Sequence, residues 1–203
     1  MLRKSPEITE NLLPLICEGE QVLDIGCGDA VLLKELCRKG LSLYGVDPAF
    51  EESPLPAVPN EIRLLPGSAE KLPFPDGSFD TVVMQCVFSV CHPEASVREV
   101  RRILKPGGRL ILSDLYSDVL EKRFEESPLL GTVYRKEHLE HYFVPSFQRL
   151  SFEDLTLALT EMIVEAIWQG EEASCGSCGD LTELRRMKAR YGLWVWKKLP
   201  ATE

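Results

Sequence analysis

The sequence predicts an α/β fold in three layers, with helices on both faces of a mostly parallel sheet. Three observations carry this reading. Short apolar runs alternate with amphipathic helical patterns along the chain, the order that produces parallel strands joined by crossover helices. The first apolar run ends in a glycine turn, Gly26-Cys27-Gly28-Asp29, which opens a helix. With 203 residues, 44% hydrophobic and 27% charged, the chain suits one globular domain and excludes wholesale disorder.

Taken in order, Gln21 to Ile25 is the first strand, after a short N-terminal cap segment over residues 1–20. The helix following the glycine turn runs from about Ala30 to Lys39, with Leu32, Leu33 and Leu36 on one face and Gly40 as its stop. Leu41 to Val46 is the second strand, closed by Asp47-Pro48, where proline blocks further ladder pairing. Pro54, Pro56 and Pro59 break the next stretch, which therefore forms no full helix. Ile62 to Leu65 and Thr81 to Met84 are further strands, separated by the turn-rich segment Pro66 to Ser78. Pro93 to Leu104 is a helix with Val97, Val100, Ile103 and Leu104 inward and Arg98, Arg101 and Arg102 on a solvated face. Lys105-Pro106-Gly107-Gly108 is a stop-and-turn signal before the strand Arg109 to Ser113. Beyond it stand a polar helix from Arg135 to Tyr142, a strand from Phe147 to Phe152 and an amphipathic helix from Asp154 to Trp168. A basic helix from Leu181 to Arg190 and a final strand from Leu193 to Lys197 complete the pattern.

Charge and cysteine content narrow the class. Twenty-three Lys and Arg stand against 32 Asp and Glu, a formal charge of -9, which disfavours general binding to nucleic acid, a polyanion. No apolar run approaches the ~20 residues of a membrane span, and the start, MLRKSPEITENLLPL, lacks the apolar core of a signal peptide. An odd set of seven cysteines reads as reduced thiols rather than a disulfide framework. A cytoplasmic protein, monomer or homodimer, is the expectation.

The glycine turn sharpens it. A strand, glycine turn and helix bring backbone N–H groups and a helix N-terminus to one point, where a nucleotide-like ligand can approach the backbone. The dinucleotide fingerprint needs a third glycine, yet three residues after Gly28 stands Val31. What is present is Asp24-X-Gly26-X-Gly28-X-Ala30, an acid ahead of the first glycine. That carboxylate repels a pyrophosphate and suits a cationic ligand.

ValLeuAspIleGlyCysGlyAspAla, from Val22 to Ala30, resembles the first motif of the class I S-adenosylmethionine (SAM)-dependent methyltransferases. Gly67 to Asp80 is similar to the adenine-side segment of that family. Glu99 to Leu110 is similar to its helix and turn before the fifth strand. The resemblance covers about Val22 to Asp114 and is closest to the ubiquinone and menaquinone methyltransferase subgroup. It implies a seven-stranded sheet of order 3-2-1-4-5-7-6 with the last strand antiparallel, and a single domain with a helical insert, residues 154–190, between the last two strands. It also implies SAM as methyl donor, leaving as S-adenosylhomocysteine (SAH). The cofactor residues it marks are Asp24, Gly26, Cys27, Gly28, Asp47, Pro48, Ser68, Ala69, Glu70 and Gln85. Asp47 would accept both ribose hydroxyls, and Ser68 stands where many members carry an acid.

The acceptor should lie above the carboxyl ends of the strands, beside the cofactor. Cys91 and His92 fall there, and His92 is the candidate general base, or else it caps the helix starting at Pro93. Tyr134 and Tyr142 either line a pocket or pack, while His138 and His141 read as solvated. The distinctive feature is Cys175-Gly-Ser-Cys178. Two thiols in this spacing bind a soft metal, cycle through a disulfide, grip a thiophilic substrate, or are incidental to an exposed loop. Placed on the insert, they would act from a lid over the acceptor and suit a thiol or metalloid substrate. No metal set is complete in the sequence. The alternative function is a SAM-binding regulatory or redox-partner protein that docks through this loop without turnover.

Overall fold

The computed structural model describes residues 6–37, 40–125, 131–158, 160 and 183–200. At the centre of the sheet lies β1 (Gln21–Ile25), buried from Val22 onward. It pairs in parallel with β2 (Ser42–Asp47) and with β4 (Phe79–Gln85). On one flank β2 pairs with β3 (Ile62–Pro66), and on the other β4 pairs with β5 (Leu104–Ser117), both in parallel. β9 (Arg190–Lys198) then runs antiparallel beside β5, with β8 (Phe147–Asp154) antiparallel beside β9. Counting these seven gives the expected order, with the last strand in sequence as the antiparallel one.

Side chains alternate between two cores, as they must when both faces of a pleated strand are covered. Val22, Val83, Ile111 and Leu193 join Leu32, Leu33 and Leu36 of α2 (Val31–Leu36) and Leu12 of α1 (Pro6–Leu12) on one face. Leu23, Val82, Leu110 and Trp194 join Val97, Val100 and Ile103 of α3 (Pro93–Ile103) and Leu139 and Phe143 of α4 (Lys136–Phe143) on the other.

The sheet has two strands more than expected. β6 (Lys122–Arg123) and β7 (Thr132–Arg135) form an antiparallel pair, and β7 adds to the end of β5 in parallel. Tyr116 pairs at once with Arg190 of β9 and Tyr134 of β7. A strand residue has only two edges, so β7 lies on the β4 side of β5, beyond the point where β4 ends at Gln85. The extra hairpin thus roofs the carboxyl end of β4. Lys105-Pro106-Gly107-Gly108 is also less of an interruption than expected. Leu104 already pairs with Phe79, the register shifts, and Arg109 resumes with Thr81. Gly107, at a φ of 75°, turns the chain inside the strand. Of the expected insert, Asp154 closes β8, residues 156–158 and 160 and residues 183–186 are helical, and Arg190 already belongs to β9. Cys175 and Cys178 lie outside the described residues.

Candidate functional site

The glycine turn is built from three left-handed residues. Gly26, Gly28 and Ala30 have φ of 70°, 51° and 57°, and Ala30 carries roughly 1–2 kcal/mol of strain that a glycine would avoid. Burial of its methyl group in the core and a bond from its N–H to the Cys27 carbonyl hold it there. The turn is stitched to β2. The N–H groups of Gly26 and Cys27 both donate to the Val46 carbonyl, at 2.7 and 3.1 Å.

Asp47 ends β2 with its carboxylate locked in place. Oδ2 accepts from the Gly28 N–H at 2.9 Å and Oδ1 from the Ala49 N–H at 3.0 Å. A carboxylate oxygen can accept more than one hydrogen bond, a chemistry that suits a pair of neighbouring hydroxyls. Around it lies a slot of about 220 Å³ whose lining includes Gly26, Asp47, Pro48, Ser68, Ala69 and Glu70. These are six of the ten residues expected to hold the cofactor.

The other four stand outside that lining. Asp24 is buried in β1 between Gly45 and Val83. Cys27 is a packing residue, its Sγ so close to Gly45 that a Cβ there would fall 2.7 Å away. Gly28 contributes its N–H to Asp47. Gln85 is buried at the end of β4, and its Nε2 has no hydrogen-bond partner among the described residues. Cys86 follows at a φ of 53°, with Sγ 3.3 Å from the Tyr191 hydroxyl.

A second, wider cavity of about 590 Å³ adjoins the slot, and both are lined by Val90 and Cys91. Its walls come from the start of α3 (His92), from the β6–β7 hairpin (Glu121, Thr132, Tyr134) and from α4 (Tyr142). Glu70 ties the two spaces together, because its Oε1 accepts the His92 N–H at 2.8 Å. His92 takes the N-cap position of α3 without a side-chain capping bond. Its ring is 69% exposed and meets Glu94 at 3.3 Å. Burial pushes the Cys91 thiol up to about 12, against the lowering effect of Ser96, so it stays protonated at neutral pH. Burial likewise pushes Tyr134 to about 12 and raises Tyr142.

Two expectations are corrected here. His138 is not simply solvated: its Nδ1 lies 2.7 Å from Glu121 Oε2 and its ring stacks on Tyr142. Arg102 is not on a solvated face, since it grips the segment ahead of β4. Tyr142 and Glu99 stand one helical turn from His138 and Arg102, but Glu121 and the segment Leu72 to Asp76 come from distant parts of the chain, and for those the sequence carried no signal. Among the described residues no group of three or more His, Cys, Asp or Glu could hold a metal ion, and no helix is long and apolar enough to cross a membrane. At the wall of the wider cavity Lys122 pairs with Glu183 at 3.3 Å.

A parallel sheet ordered 3-2-1-4-5, a glycine turn after β1 and an acid closing β2 define the class I, Rossmann-like methyltransferase fold. Residues 23–112 match the methyltransferase domain family. An uncharacterized methyltransferase of Mycobacterium tuberculosis is 37% identical over 107 residues, covering 52% of this chain and 43% of that protein. A demethylmenaquinone methyltransferase of Corynebacterium glutamicum is 35% identical over 123 residues, covering 60% and 49%. The chain therefore spans about half the length of the curated relatives it matches. A solved phosphoethanolamine N-methyltransferase 2 of Haemonchus contortus, in complex with S-adenosyl-L-methionine, superposes with a TM-score of 0.71. It is 17% identical, over 95% of this chain and 52% of that one, a likeness of fold.

Proposed function

We propose that this chain transfers a methyl group from SAM, held in the slot at Asp47, to a small molecule held in the wider cavity. The observation that carries the reading is the shared wall. The slot behind Asp47 and the wider cavity meet at Val90 and Cys91, the arrangement a donor and an acceptor need for in-line transfer. The slot suits the donor: a carboxylate positioned by two N–H groups meets a ribose, and Gly26 lets the chain come close without a side chain. SAM, once bound, supplies an already activated methyl group on a positively charged sulfur.

What the chain adds is alignment and control of water. Asp47 orients the nucleoside through its hydroxyls. Glu70, by holding the His92 N–H, fixes the segment that separates donor from acceptor. Cys91, kept neutral at the junction, presents a small, weakly polar surface where a cationic centre must pass to a nucleophile. His92 lines the acceptor side and contacts the incoming molecule.

Calorimetry with SAM and SAH on the full chain tests the donor site. Asp47→Ala should weaken both by about 10- to 100-fold, as expected for losing hydrogen bonds to a charged acceptor, while Asp47→Asn keeps part of the affinity. Turnover of methyl-labelled SAM against an acceptor panel then separates an enzyme from a binding protein. A thiol and arsenite belong in that panel because of Cys175 and Cys178. Failure of the wild-type chain to bind either nucleoside overturns the proposal.

A further inference from the structure

We infer that His138, held by Glu121, takes the proton from an acceptor seated in the wider cavity, so that the acceptor is a protic nucleophile, a hydroxyl or a thiol, rather than one attacking through a lone pair already free. This deepens the methyltransferase reading and rests on it. Three residues that line the cavity, Glu121, Tyr134 and Tyr142, hold the ring of His138, which stands behind that lining. Glu121 Oε2 lies 2.7 Å from Nδ1 and is itself held by the Arg135 N–H at 3.2 Å. Tyr142 stacks on the ring at 5.1 Å and 28°, and Tyr134 meets it edge-on at 5.8 Å and 83°. A carboxylate at Nδ1 holds the neutral imidazole with its proton on that nitrogen and its lone pair on Nε2. Nε2 has no hydrogen bond among the described residues, and the side chain is 47% exposed.

Elimination supports the same assignment. Cys91, Tyr134 and Tyr142 all hold their protons at neutral pH, because burial raises each of them. They donate hydrogen bonds and do not accept the proton. Lys122 is paired with Glu183, and the guanidinium of Arg123 has donors only. His92 faces solvent with a single carboxylate contact at 3.3 Å, whereas His138 is braced on three sides. The titratable and charged groups on the surrounding elements are Glu121 ahead of β6, Lys122 and Arg123 of β6, Arg135 of β7, Glu137 and His141 on its own helix, and His92 and Glu94 at the start of α3.

The proton step balances without any further reactant. As the acceptor bonds to the methyl carbon, its own bond to hydrogen breaks and the electron pair stays on the acceptor atom. The carbon–sulfur bond of the donor gives its pair to sulfur. The proton moves to Nε2, and the positive charge lost from sulfur reappears on an imidazolium beside the Glu121 carboxylate, which stabilises it.

The test uses the full chain with methyl-labelled SAM and three acceptors: catechol, 2-mercaptoethanol and arsenite. Binding of SAH is measured first on every variant, so failure of the donor site is seen separately and removes both readings together. With SAH bound normally, His138→Asn should lower kcat on a protic acceptor by about 10²- to 10⁴-fold and abolish the rise of kcat with pH. Glu121→Gln should fall between it and wild type. His92→Asn should move KM and leave the pH profile in place, and His141→Gln should leave turnover unchanged. Wild-type kcat in His138→Asn, or turnover of arsenite alone, overturns the inference. If no acceptor turns over, ¹⁵N spectra of the three imidazoles decide. A His138 signal with its lone pair on Nε2, shifted by catechol and by Glu121→Gln, supports the inference. A His138 signal indifferent to both overturns it.

Discussion

Arg102 makes five hydrogen bonds from one side chain. Its Nε and one terminal nitrogen form a fork on Glu99, at 2.9 and 2.8 Å. The same guanidinium reaches the carbonyls of Phe74 and Leu72 at 2.7 and 3.1 Å and the Asp76 carboxylate at 2.9 Å. Glu99 Oε2 in turn accepts the Leu72 N–H at 2.9 Å. Two side chains on α3 therefore satisfy a proline-containing segment, Leu72 to Asp76, that has no ladder of its own to join. That segment continues from Ser68 to Glu70 on the slot wall, so the fork acts on the slot side of the molecule. Arg102→Ala should destabilise the chain by about 1–3 kcal/mol, the range for stranding polar partners that are partly exposed, as measured by urea denaturation. Arg102→Lys should restore little, because a single ammonium cannot match the fork. The residues of the slot, such as Asp47, were legible as one cluster in the sequence because strand ends and glycine turns are local features. Arg102 and His138 were not, because what each does depends on a partner brought up by the tertiary fold.

At the scale of elements, the β6–β7 hairpin gives the carboxyl end of the sheet two chambers where the glycine turn alone builds one. The seven core strands were legible from their apolar runs and punctuating glycines and prolines. The hairpin was not: β6 has two residues and β7 has four, too short for any periodicity to emerge. Its register depends instead on Tyr116 and Ser117 extending past the end of β4. The hairpin is seated through Gly131, whose carbonyl accepts the Phe124 N–H at 3.0 Å. A Cβ on Gly131 would run into the carbonyl of Ser89, in the turn between Phe88 and Val90 that borders both cavities. Ser89 is itself held, its N–H donating to Asp114 at 2.9 Å, so the turn cannot yield and the hairpin must. Gly131→Ala should cost about 1–3 kcal/mol, as overpacking does, and lower the thermal midpoint by several degrees. SAH affinity should remain, while acceptor turnover falls, since the damage lies on the hairpin side of the shared wall.

Across the whole molecule, three carboxyls make stability depend on acidity. Glu99 is held below its ordinary range, first by its hydrogen bonds to Arg102, with burial opposing. For Asp80 burial pushes upward, but Lys105 at 2.7 Å and the Gln21 N–H at 2.9 Å outweigh it and the net shift is down. Asp154 is likewise lowered against the effect of burial, by Thr156, the Tyr116 hydroxyl and Arg190. The three lie far apart: on α3, at the amino ends of β1 and β4, and at the corner where β8 leads into the insert. A carboxyl whose folded value lies below its unfolded one contributes stability that is fully present above the unfolded value. That contribution is lost as pH falls through the folded value, because the unfolded chain takes up protons first. Loss should therefore begin near the ordinary carboxylate range, about pH 4, and deepen below it. Above that range the formal charge of -9 works the other way, since mild acidification first eases self-repulsion. Thermal midpoints measured in steps from pH 8 to pH 3 should rise slightly, pass a maximum in the mildly acidic range and then fall steeply. Arg102→Ala, which frees Glu99, should show a lower maximum and a shallower acid limb than wild type. An acid limb of equal slope in the two proteins would assign the pH dependence to other groups.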